Sequence, residues 1–371
     1  MRILQVGKYT QDKPGGVETA VYTLCRELAK EHDVELLAAS PSREGRTRAE
    51  GRFTEHVLPT WLTAASTPLV PALVSRLRAA RGFDVVQVSL QNPMAVLAVL
   101  LARPAGRLVA WYHHDIVRQK RLGRAFAPLQ AAFLRRADAI VATSREYAEG
   151  SEALRAFVDK IHVIELGVDA GSLGLEGAEE PARRLRARFG GPLIVFVGRL
   201  VYYKGLGCLL EAMRGLDARL LVVGSGPLEA ELRAAAARPG LAGRVFFEAV
   251  PHDRPLGPYW LAADAAVLPS TERTEAFGLS LVEAMHCGKP VVATRLGTGT
   301  TTVCRDGVNG LVVEPGDPAG LRAALARLLA DPALSRRLGE AGRALARERF
   351  SAEAMARSFV ELYGRLAARP C

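Results

Sequence analysis

The chain has 371 residues, 49% of them hydrophobic and 24% charged, a composition that excludes a disordered protein. Its 49 basic and 39 acidic residues leave a net charge of +10, which favours an anionic partner such as nucleic acid, a membrane surface or a phosphorylated ligand. The longest strongly apolar run, Met94 to Ala102, is too short for a membrane-spanning helix, and five scattered cysteines without a CxxC pair indicate neither a disulfide framework nor a zinc site, so we expect a reducing cytoplasm.

The first half of the chain alternates short apolar runs with longer amphipathic stretches. A strand at Arg2–Val6 is followed by a glycine-containing loop and a helix over about 17–31. Val/Ile/Leu runs without strict alternation are typical of strands buried on both faces, as in a parallel sheet covered by helices. Further strands are predicted at 34–38, 85–88, 108–112, 140–143 and 161–164. Residues 1–170 are therefore predicted to form a doubly wound α/β domain of repeated βαβ units.

Glycines and a proline punctuate residues 171–190, which are predicted to be a linker. The alternation then restarts in a second predicted α/β domain, residues 191–351, and the pattern from Pro318 onward is almost entirely helical. Strands of this half are predicted at 193–197, 220–223, 245–248, 265–268 and 291–293. Doubly wound sheets bind ligands beyond the carboxyl ends of their strands, so with two domains the expected site is a cleft between them.

The first candidate binding element is Gly15-Gly16, between the first strand and the first helix. Glycines here allow a ligand to approach the backbone, and a helix N-terminus offers unpaired N–H groups to an anion. A flexible loop before a helix is the alternative reading. No GxGxxG fingerprint occurs at this turn, which argues against a dinucleotide-dependent oxidoreductase.

Arg199 and Lys204 follow the first strand of the second half, where they could clamp a pyrophosphate. Two solvated surface cations are the alternative if the pair is taken alone. Gly224 and Gly226 follow the next strand and would permit close approach of a ligand to the backbone, although a plain strand-to-helix turn explains them equally well.

Glu275 and Glu283 are separated so that Glu275 lies just before a helix and Glu283 lies within it, and both can face one site with the free N–H groups of the helix start. Carboxylates suit the hydroxyl groups of a sugar or a ribose. Glu283 is surrounded by apolar residues, which disfavours a merely solvated helix face. His113 in Trp111-Tyr112-His113-His114-Asp115 is a further candidate at a strand end, but neither a zinc ligand set nor an Asp-x-Asp pair for a divalent ion is found.

Together these residues resemble the retaining glycosyltransferases of the GT-B fold, family 4, over nearly the whole chain. The similar motifs are Gly15-Gly16, His113-His114-Asp115, Thr143-Ser144, Gly167-Val168-Asp169, Gly198-Arg199 with Lys204, Gly224-x-Gly226-Pro227, Glu275/Glu283, residues 284–292 and residues 305–310. The stretches 113–120 and 202–205 resemble bacterial enzymes of surface-polysaccharide and O-antigen synthesis, often mannosyltransferases. The chain departs from the family at Glu165-Leu166-Gly167, where a Pro-x-Gly is usual.

The resemblance implies an N-terminal acceptor domain, a C-terminal domain that binds a nucleotide diphosphate sugar, and a helix at about 352–371 that packs back on the first domain. Arg199 and Lys204 would neutralise the departing diphosphate without a metal or cofactor. Glu283 would bind the ribose, and His113 and Glu275 would contact the donor sugar. The other donor-binding residues would be glycines and backbone N–H groups: Gly15, Gly16, Gly224, Gly226, Ala276, Phe277, Gly278 and Leu279.

The resemblance favours transfer of mannose from GDP-mannose to a glycan or lipid-linked acceptor, without a role for nucleic acid. The alternatives are a nucleotide-sugar epimerase or other GT-B enzyme, and a non-catalytic nucleotide-sugar-binding protein. A basic stretch without acids between Ile116 and Ala137 could lie on an anionic inner membrane surface, with an ordinary solvated helix face as the alternative. Its predicted acceptor or membrane residues are Arg118, Lys120, Arg121 and Arg124.

Overall fold

The protein forms two compact units in a computed structural model that describes residues 1–13, 15–64, 67–115, 120–251 and 254–368, with the side chains of 120–122 outside the description. The first unit contains residues 1–166 and 352–371, and the second contains 167–351. Each has its own sheet, and the chain returns to the first unit after completing the second.

The first unit is built on an eight-stranded sheet in the order β10-β9-β8-β7-β1-β2-β4-β3, parallel except for β3. Its apolar strands β1, β7 and β8 are buried on both faces, as the unalternating sequence runs predict. The strands of this unit, including a separate β5–β6 hairpin, are β1 Arg2–Tyr9, β2 Asp33–Ala39, β3 Arg46–Glu50, β4 Phe53–Leu58, β5 Leu62–Ala64, β6 Thr67–Leu69, β7 Val85–Leu90, β8 Arg107–Tyr112, β9 Ala139–Ala142 and β10 Ile161–Val163.

Within the described residues of this unit, five α-helices connect the strands: α1 Gly16–Leu28, α2 Ala72–Ala79, α3 Pro93–Ala102, α4 Lys120–Arg136 and α5 Arg145–Gly150. Crossovers between parallel strands are right-handed, so connections that move in opposite directions along the sheet cover opposite faces. The β1–α1–β2 crossover moves one way, whereas those through α2, α3 and α4 move the other way. Helix α3 accordingly packs between α2 and α4, on the face opposite α1.

The second unit has a six-stranded, wholly parallel sheet in the order β13-β12-β11-β14-β15-β16. Its strands are β11 Leu193–Val197, β12 Arg219–Val223, β13 Val245–Glu248, β14 Ala265–Leu268, β15 Val291–Thr294 and β16 Gly310–Val313. Its helices are α6 Glu179–Ala187, α7 Leu206–Met213, α8 Glu229–Ala236, α9 Gly257–Ala262, α10 Leu279–His286, α11 Gly299–Val303, α12 Pro318–Ala330 and α13 Pro332–Arg349. Both sheets confirm the predicted doubly wound α/β class.

The structure corrects the prediction of a linker at residues 171–190. Residues 171–173 form a short 3₁₀ helix, and α6 follows and packs against α9 as part of the second unit. Ala182 and Leu185 of α6 are buried, while Arg183 and Arg184 face solvent and pair with Glu180. The glycines and proline of this segment therefore shape turns and a helix start rather than a free connection.

A last helix, α14 Ala352–Ala367, belongs to the first unit and packs against α1. Phe359 meets the ring of Trp111 on β8 edge-on, with 5.0 Å between ring centroids. The buried Tyr363 hydroxyl donates a hydrogen bond of 2.7 Å to Gln87 Oε1 and accepts one of 3.3 Å from Gln5 Nε2. Residues 369–371 of the predicted helix lie outside the described residues.

Among the described residues, no helix combines the length and the apolar character required to cross a membrane.

Candidate active site

The second unit brings Lys204 and Glu275 together at the carboxyl edge of its sheet. Lys204 ends a short 3₁₀ helix in the loop after β11, and Glu275 lies in the loop after the neighbouring strand β14. Lys204 Nζ donates a hydrogen bond of 2.5 Å to Glu275 Oε2, and the side chains are only 12% and 10% exposed. Burial acts most strongly, to lower the pKa of Lys204, but the Glu275 carboxylate together with Tyr203 and Glu283 outweighs it and the pKa is raised. Lys204 therefore remains a fixed positive charge.

Further hydrogen bonds fix the loop that contains Glu275 and Ala276. Ser270 Oγ donates a bond of 2.9 Å to Glu275 Oε2, and Thr298 Oγ1 donates one of 2.8 Å to the Glu275 backbone oxygen. The backbone N–H of Gly299 donates to the Ala276 oxygen at 2.8 Å. These bonds anchor the loop that precedes α10, so that the positions of Glu275 and Ala276 are set before any ligand binds.

Gly198, Gly224 and Gly226 pack two loops against each other. A Cβ on Gly224 would lie 2.1 Å from the Gly198 oxygen, and one on Gly226 would lie 2.5 Å from the Leu200 oxygen. Gly224 also has a φ of 135°, which disfavours a side chain. The contact of one loop backbone with the other explains both glycines, and it places Gly198 3.7 Å from the Lys204 ammonium, measured from a Cβ built on the glycine.

Arg199 lies in the same loop as Lys204 but differs in its surroundings. Its side chain is exposed and makes no ion pair with any residue that the structure describes. An unpaired guanidinium at the carboxyl edge of a parallel sheet is free to bind an incoming anion. The structure thus supplies one buried, paired cation and one exposed, unpaired cation in a single loop.

Helix α10 begins immediately after Gly278, whose φ of 91° suits glycine. The N-cap glycine has no side chain to cap the helix start, so the Leu279 and Ser280 N–H groups lack an intrahelical partner, whereas the Leu281 N–H donates to the Gly278 oxygen at 2.9 Å. Phe277 is buried and its ring packs edge-on against Phe350, with 5.7 Å between centroids. Ala276 to Leu279 therefore form a supported backbone segment, and its role in binding an anion or a sugar stays a prediction.

Glu283 lies one turn into α10. Burial raises the pKa of its carboxyl group to about 7, an effect that the nearby Trp260 indole and the Lys204 charge offset only partly. Its Oε2 atom is buried without a hydrogen-bond partner among the described residues. A buried carboxylate oxygen that accepts no hydrogen bond lowers the stability of the fold unless a ligand donates one. This supports a binding role for Glu283 over a solvated helix face.

In the first unit, Gly15 and Gly16 occupy the junction between β1 and α1. Gly15 is the N-cap residue of α1, has extended backbone and offers no side chain of its own to cap the helix start. Gly16 is the first helical residue. The binding of an anion at the N-terminus of this 13-residue helix stays a prediction.

His113 follows β8 at the carboxyl edge of the first sheet. Its ring packs against Trp111 with 4.5 Å between centroids, and its buried Nε2 has no partner among the described residues. Burial, with a smaller contribution from His114, lowers the pKa of His113 to about 3, so the imidazole is neutral. A neutral imidazole can donate or accept a hydrogen bond, but it supplies no charge to a diphosphate.

Asp115 holds the loop that carries His113 and His114. Its Oδ1 accepts hydrogen bonds of 2.7 Å from both the Tyr112 and Ser151 hydroxyls, and its Oδ2 accepts one of 3.1 Å from Tyr147. The Asp115 N–H donates to Tyr147 Oη at 2.6 Å. Because its carboxylate is fully engaged with hydroxyls, Asp115 orients the histidine loop rather than facing a ligand directly.

Two polar residues near these positions were not singled out from the sequence. Ser270 lies two residues after the end of β14, and a hydroxyl residue shortly after an apolar strand was the available signal. Lys8 lies within β1, and its pKa is lowered mainly by burial, with Glu18 opposing and Lys13 reinforcing the shift. A lysine in a largely apolar strand was a comparable signal, weakened by its position near the end of the strand.

The predicted basic surface is only partly described. Arg118 lies outside the described residues, and Lys120 and Arg121 begin α4 with side chains that lie outside them as well. Arg124 is exposed on α4. Within the described ranges, no group of three or more His, Cys, Asp or Glu side chains is arranged to hold a metal ion.

Sequence models of two protein families match the two halves of the chain in order: Glycosyltransferase Family 4 over residues 14–171 and Glycosyl transferases group 1 over residues 179–345. The chain is 33% identical to the O-antigen chain mannosyltransferase C of Escherichia coli over 366 residues, 98% of each chain. It is 35% identical to the D-rhamnosyltransferase WbpZ of Pseudomonas aeruginosa over 359 residues, 95% of this chain and 93% of that one.

The sucrose-phosphate synthase of Thermosynechococcus elongatus has a similar fold, with a TM-score of 0.81 over 99% of each chain at 24% identity. That likeness concerns the fold alone. The match over the full length to curated glycosyltransferases, together with both family descriptions, confirms the family predicted from the motifs. The chain is a glycosyltransferase of the GT-B fold and belongs to family 4.

Proposed function

We propose that this enzyme transfers a hexose, mannose in the first instance, from a nucleotide diphosphate sugar to a glycan or lipid-linked acceptor in the synthesis of a cell-surface polysaccharide. The observation that carries the proposal is the Lys204–Glu275 pair next to the uncapped start of α10. It combines a fixed cation, a carboxylate and free N–H groups, the chemistry that a sugar attached to a diphosphate requires. The names of the E. coli and P. aeruginosa relatives support mannose or a related sugar as the transferred group. The resemblance to mannosyltransferases favours GDP as the nucleotide of the donor.

The proposed reaction needs stabilisation of a leaving diphosphate. The bond from the anomeric carbon to the diphosphate oxygen breaks, and the acceptor oxygen bonds to that carbon on the same face, which retains the configuration. The acceptor proton passes to an oxygen of the departing phosphate. Arg199 and Lys204 would neutralise the charge that develops on the diphosphate, which is the role a divalent metal would otherwise perform.

The remaining side chains would orient the donor. Glu283 Oε2, buried without a partner, would accept hydrogen bonds from the ribose hydroxyls. The N–H groups at the start of α10 would bind phosphate or sugar oxygens. His113, neutral and lacking a partner at Nε2, would hydrogen-bond a hydroxyl of the transferred sugar.

Ligand-induced thermal stabilisation with purified protein tests the donor. Because a ligand that binds only the folded state stabilises it by about 2.7 kcal/mol at a concentration 100 times its Kd, GDP-mannose should raise the melting temperature more than UDP-glucose, UDP-galactose or ADP-glucose. Adding EDTA should leave the shift unchanged. A preference for a UDP-sugar would overturn the mannose assignment, and a shift abolished by EDTA would overturn metal independence.

Product analysis separates the enzyme from its alternatives. Release of nucleoside diphosphate that depends on an added lipid-linked or oligosaccharide acceptor, with an α-linked product from an α-linked donor, is the expected result. Conversion of the donor to an isomeric sugar without an acceptor would identify an epimerase. Tight donor binding with no product under any acceptor would identify a binding protein.

A further inference from the structure

The imidazole of His113 is held by packing rather than by hydrogen bonds. Its side chain is buried and forms no hydrogen bond with any residue that the structure describes. The Asp115 hydrogen bonds, and the bond of 3.4 Å from the His113 N–H to the Leu90 oxygen, fix the backbone but not the ring. A functional histidine is often oriented by a hydrogen bond to its second ring nitrogen. Here the orientation of the ring depends on the side chains against which it packs.

Trp111 is the aromatic side chain that contacts the His113 ring. The two residues are separated by one position in extended chain and point to the same face of the sheet. Their ring centroids are 4.5 Å apart and their planes meet at 44°. Trp111 is fully buried, and its indole Nε1 also lacks a hydrogen-bond partner within the described ranges. The indole is therefore held by packing as well, and its position limits that of the imidazole.

Two rings of α14 continue this stack on the other side of Trp111. Phe359 meets the Trp111 ring edge-on, with 5.0 Å between centroids and 71° between planes. Tyr363, one turn further along α14, has its ring centroid 5.7 Å from that of Phe359. All three separations lie in the range in which aromatic pairs attract each other. The four rings of His113, Trp111, Phe359 and Tyr363 are here called the aromatic series.

Tyr363 anchors the far end of the aromatic series to the sheet. Its hydroxyl donates a hydrogen bond of 2.7 Å to Gln87 Oε1 on β7 and accepts one of 3.3 Å from Gln5 Nε2 on β1. Gln5 and Gln87 are partners in the register of these two strands. Among the described residues, no other ring of the series is hydrogen-bonded to a side chain of the sheet. Directional bonds therefore hold the series at the end away from His113.

The helix α14 thus reaches the His113 ring through a continuous set of buried contacts. We propose that α14 positions the His113 imidazole through the aromatic series, so that Trp111 and Phe359 are positioning residues for sugar transfer. Without a hydrogen bond, close packing is what restricts rotation of the imidazole about its side-chain torsions. A rotated ring would turn Nε2 away from the sugar hydroxyl. The proposal rests on the proposed contact of His113 with the donor sugar.

The first experiment removes the ring of Phe359 while keeping an apolar side chain. Phe359→Leu should lower kcat about twofold to tenfold, the change that corresponds to the loss of one aromatic pair. Its Kd for the free nucleoside diphosphate should be unchanged, because that ligand carries no sugar for His113 to bind. Leu366→Ala, at another buried position of α14 outside the series, should keep its kcat. Equal decreases in kcat from both variants would show a general packing effect and overturn the proposal.

Variants of Trp111 repeat the comparison one contact nearer to the imidazole. Trp111→Phe keeps a ring between His113 and Phe359, whereas Trp111→Leu does not. Trp111→Phe should therefore retain most of the kcat that Trp111→Leu loses, with urea unfolding used to compare their stability. If the two variants have the same kcat, an aromatic ring is not required at this position and the proposal is wrong.

A double variant tests whether Phe359 acts through His113. Once the imidazole is absent, its positioning no longer matters, so His113→Phe/Phe359→Leu should have the same kcat as His113→Phe. A further decrease in the double variant, as large as that from Phe359→Leu alone, would show that Phe359 acts independently of His113. Full kcat in His113→Phe would instead contradict the proposed sugar contact.

NMR of protein labelled with ¹³C at the histidine Cε1 measures the position of the ring without reference to activity. The signal that is missing in His113→Phe identifies His113. We expect Phe359→Leu to shift or broaden this signal and Leu366→Ala to leave it unchanged. A His113 signal that is identical in Phe359→Leu and the unmodified chain would overturn the positioning role, whatever the kcat of the variants.

Discussion

Lys204 Nζ lies 2.5 Å from Glu275 Oε2, so that a buried cation and a buried carboxylate, 71 residues apart in the sequence, neutralise each other. Removing one partner of a buried pair costs about 3–5 kcal/mol, because the remaining charge is left without compensation. We therefore expect Lys204→Met and Glu275→Gln each to lower the free energy of unfolding and to lose transfer activity. Urea unfolding and a nucleoside diphosphate release assay measure the two effects.

The double variant Lys204→Met/Glu275→Gln separates stability from catalysis. It contains no buried unpaired charge at these positions, so it should be more stable than the Lys204→Met variant while remaining inactive. A double variant that recovered activity together with stability would show that the pair serves only the fold.

Arg199 offers a cleaner test of charge neutralisation because it is exposed and unpaired with any described residue. Arg199→Ala should change the free energy of unfolding by less than about 0.5 kcal/mol. If the guanidinium stabilises the leaving diphosphate, kcat should fall about 100-fold to 1,000-fold. Arg238→Ala, at another exposed arginine of the second unit, is the matched control. Near-normal kcat in Arg199→Ala would remove Arg199 from the mechanism.

Glu283 should make donor binding depend on pH near neutrality. Burial raises its pKa to about 7, and only the carboxylate can accept hydrogen bonds from both ribose hydroxyls. Affinity for a nucleotide sugar should therefore be constant at high pH and fall about tenfold for each pH unit below 7. Calorimetry with the intact nucleotide sugar suits this measurement, because its diphosphate diester does not titrate in this range.

Glu283→Gln is the control for that titration, and it should bind the donor weakly with no step near pH 7. The pH dependence of the free energy of unfolding gives an independent check on the raised pKa. A carboxyl group whose folded pKa is raised holds its proton more tightly when folded, so the stability of the unmodified chain should fall as pH rises from 4.5 to about 7. Glu283→Gln should lose that part of the pH dependence. A step in donor affinity that persists in this variant would assign it to another group.

His113→Phe tests whether the imidazole contacts the sugar. Phenylalanine keeps a ring against Trp111 and removes a buried nitrogen that has no partner among the described residues, so the free energy of unfolding should be unchanged or higher. The loss of one hydrogen bond to the sugar should lower kcat/KM about tenfold to 100-fold. His114→Phe is the neighbouring comparison, and a larger activity loss there would reassign the contact.

The strands buried on both faces could be predicted from sequence almost to the residue. Leu193–Val197 and Ala265–Leu268 are examples, because an apolar run in a parallel sheet has few alternatives. The strand Arg46–Glu50 was missed, since it is exposed along its whole length and pairs at the sheet edge without an apolar signal. The helix Glu179–Ala187 was missed because glycines and a proline surround a short amphipathic segment.

The residues of the candidate site could be predicted from their positions after strands. The contacts among these residues could not. The ion pair of Lys204 with Glu275 depends on β11 and β14 being neighbours, although β12 and β13 separate them along the chain. The explanation for Gly224, a neighbouring loop within van der Waals distance, depends on the same order of strands. Sequence spacing does not contain this information, because several strand orders satisfy the same pattern.

The return of α14 to the first unit has a consequence for synthesis. A ribosome releases residues 1–166 before 167–351, and α14 only after both, whereas Trp111 and Gln87 need Phe359 and Tyr363 to complete their surroundings. The first unit is therefore begun first and finished last, while the second folds in the interval. For that interval the nascent chain carries an uncovered apolar groove beside α1, where chaperones or aggregation would act, and expression of residues 1–166 alone would make that state permanent.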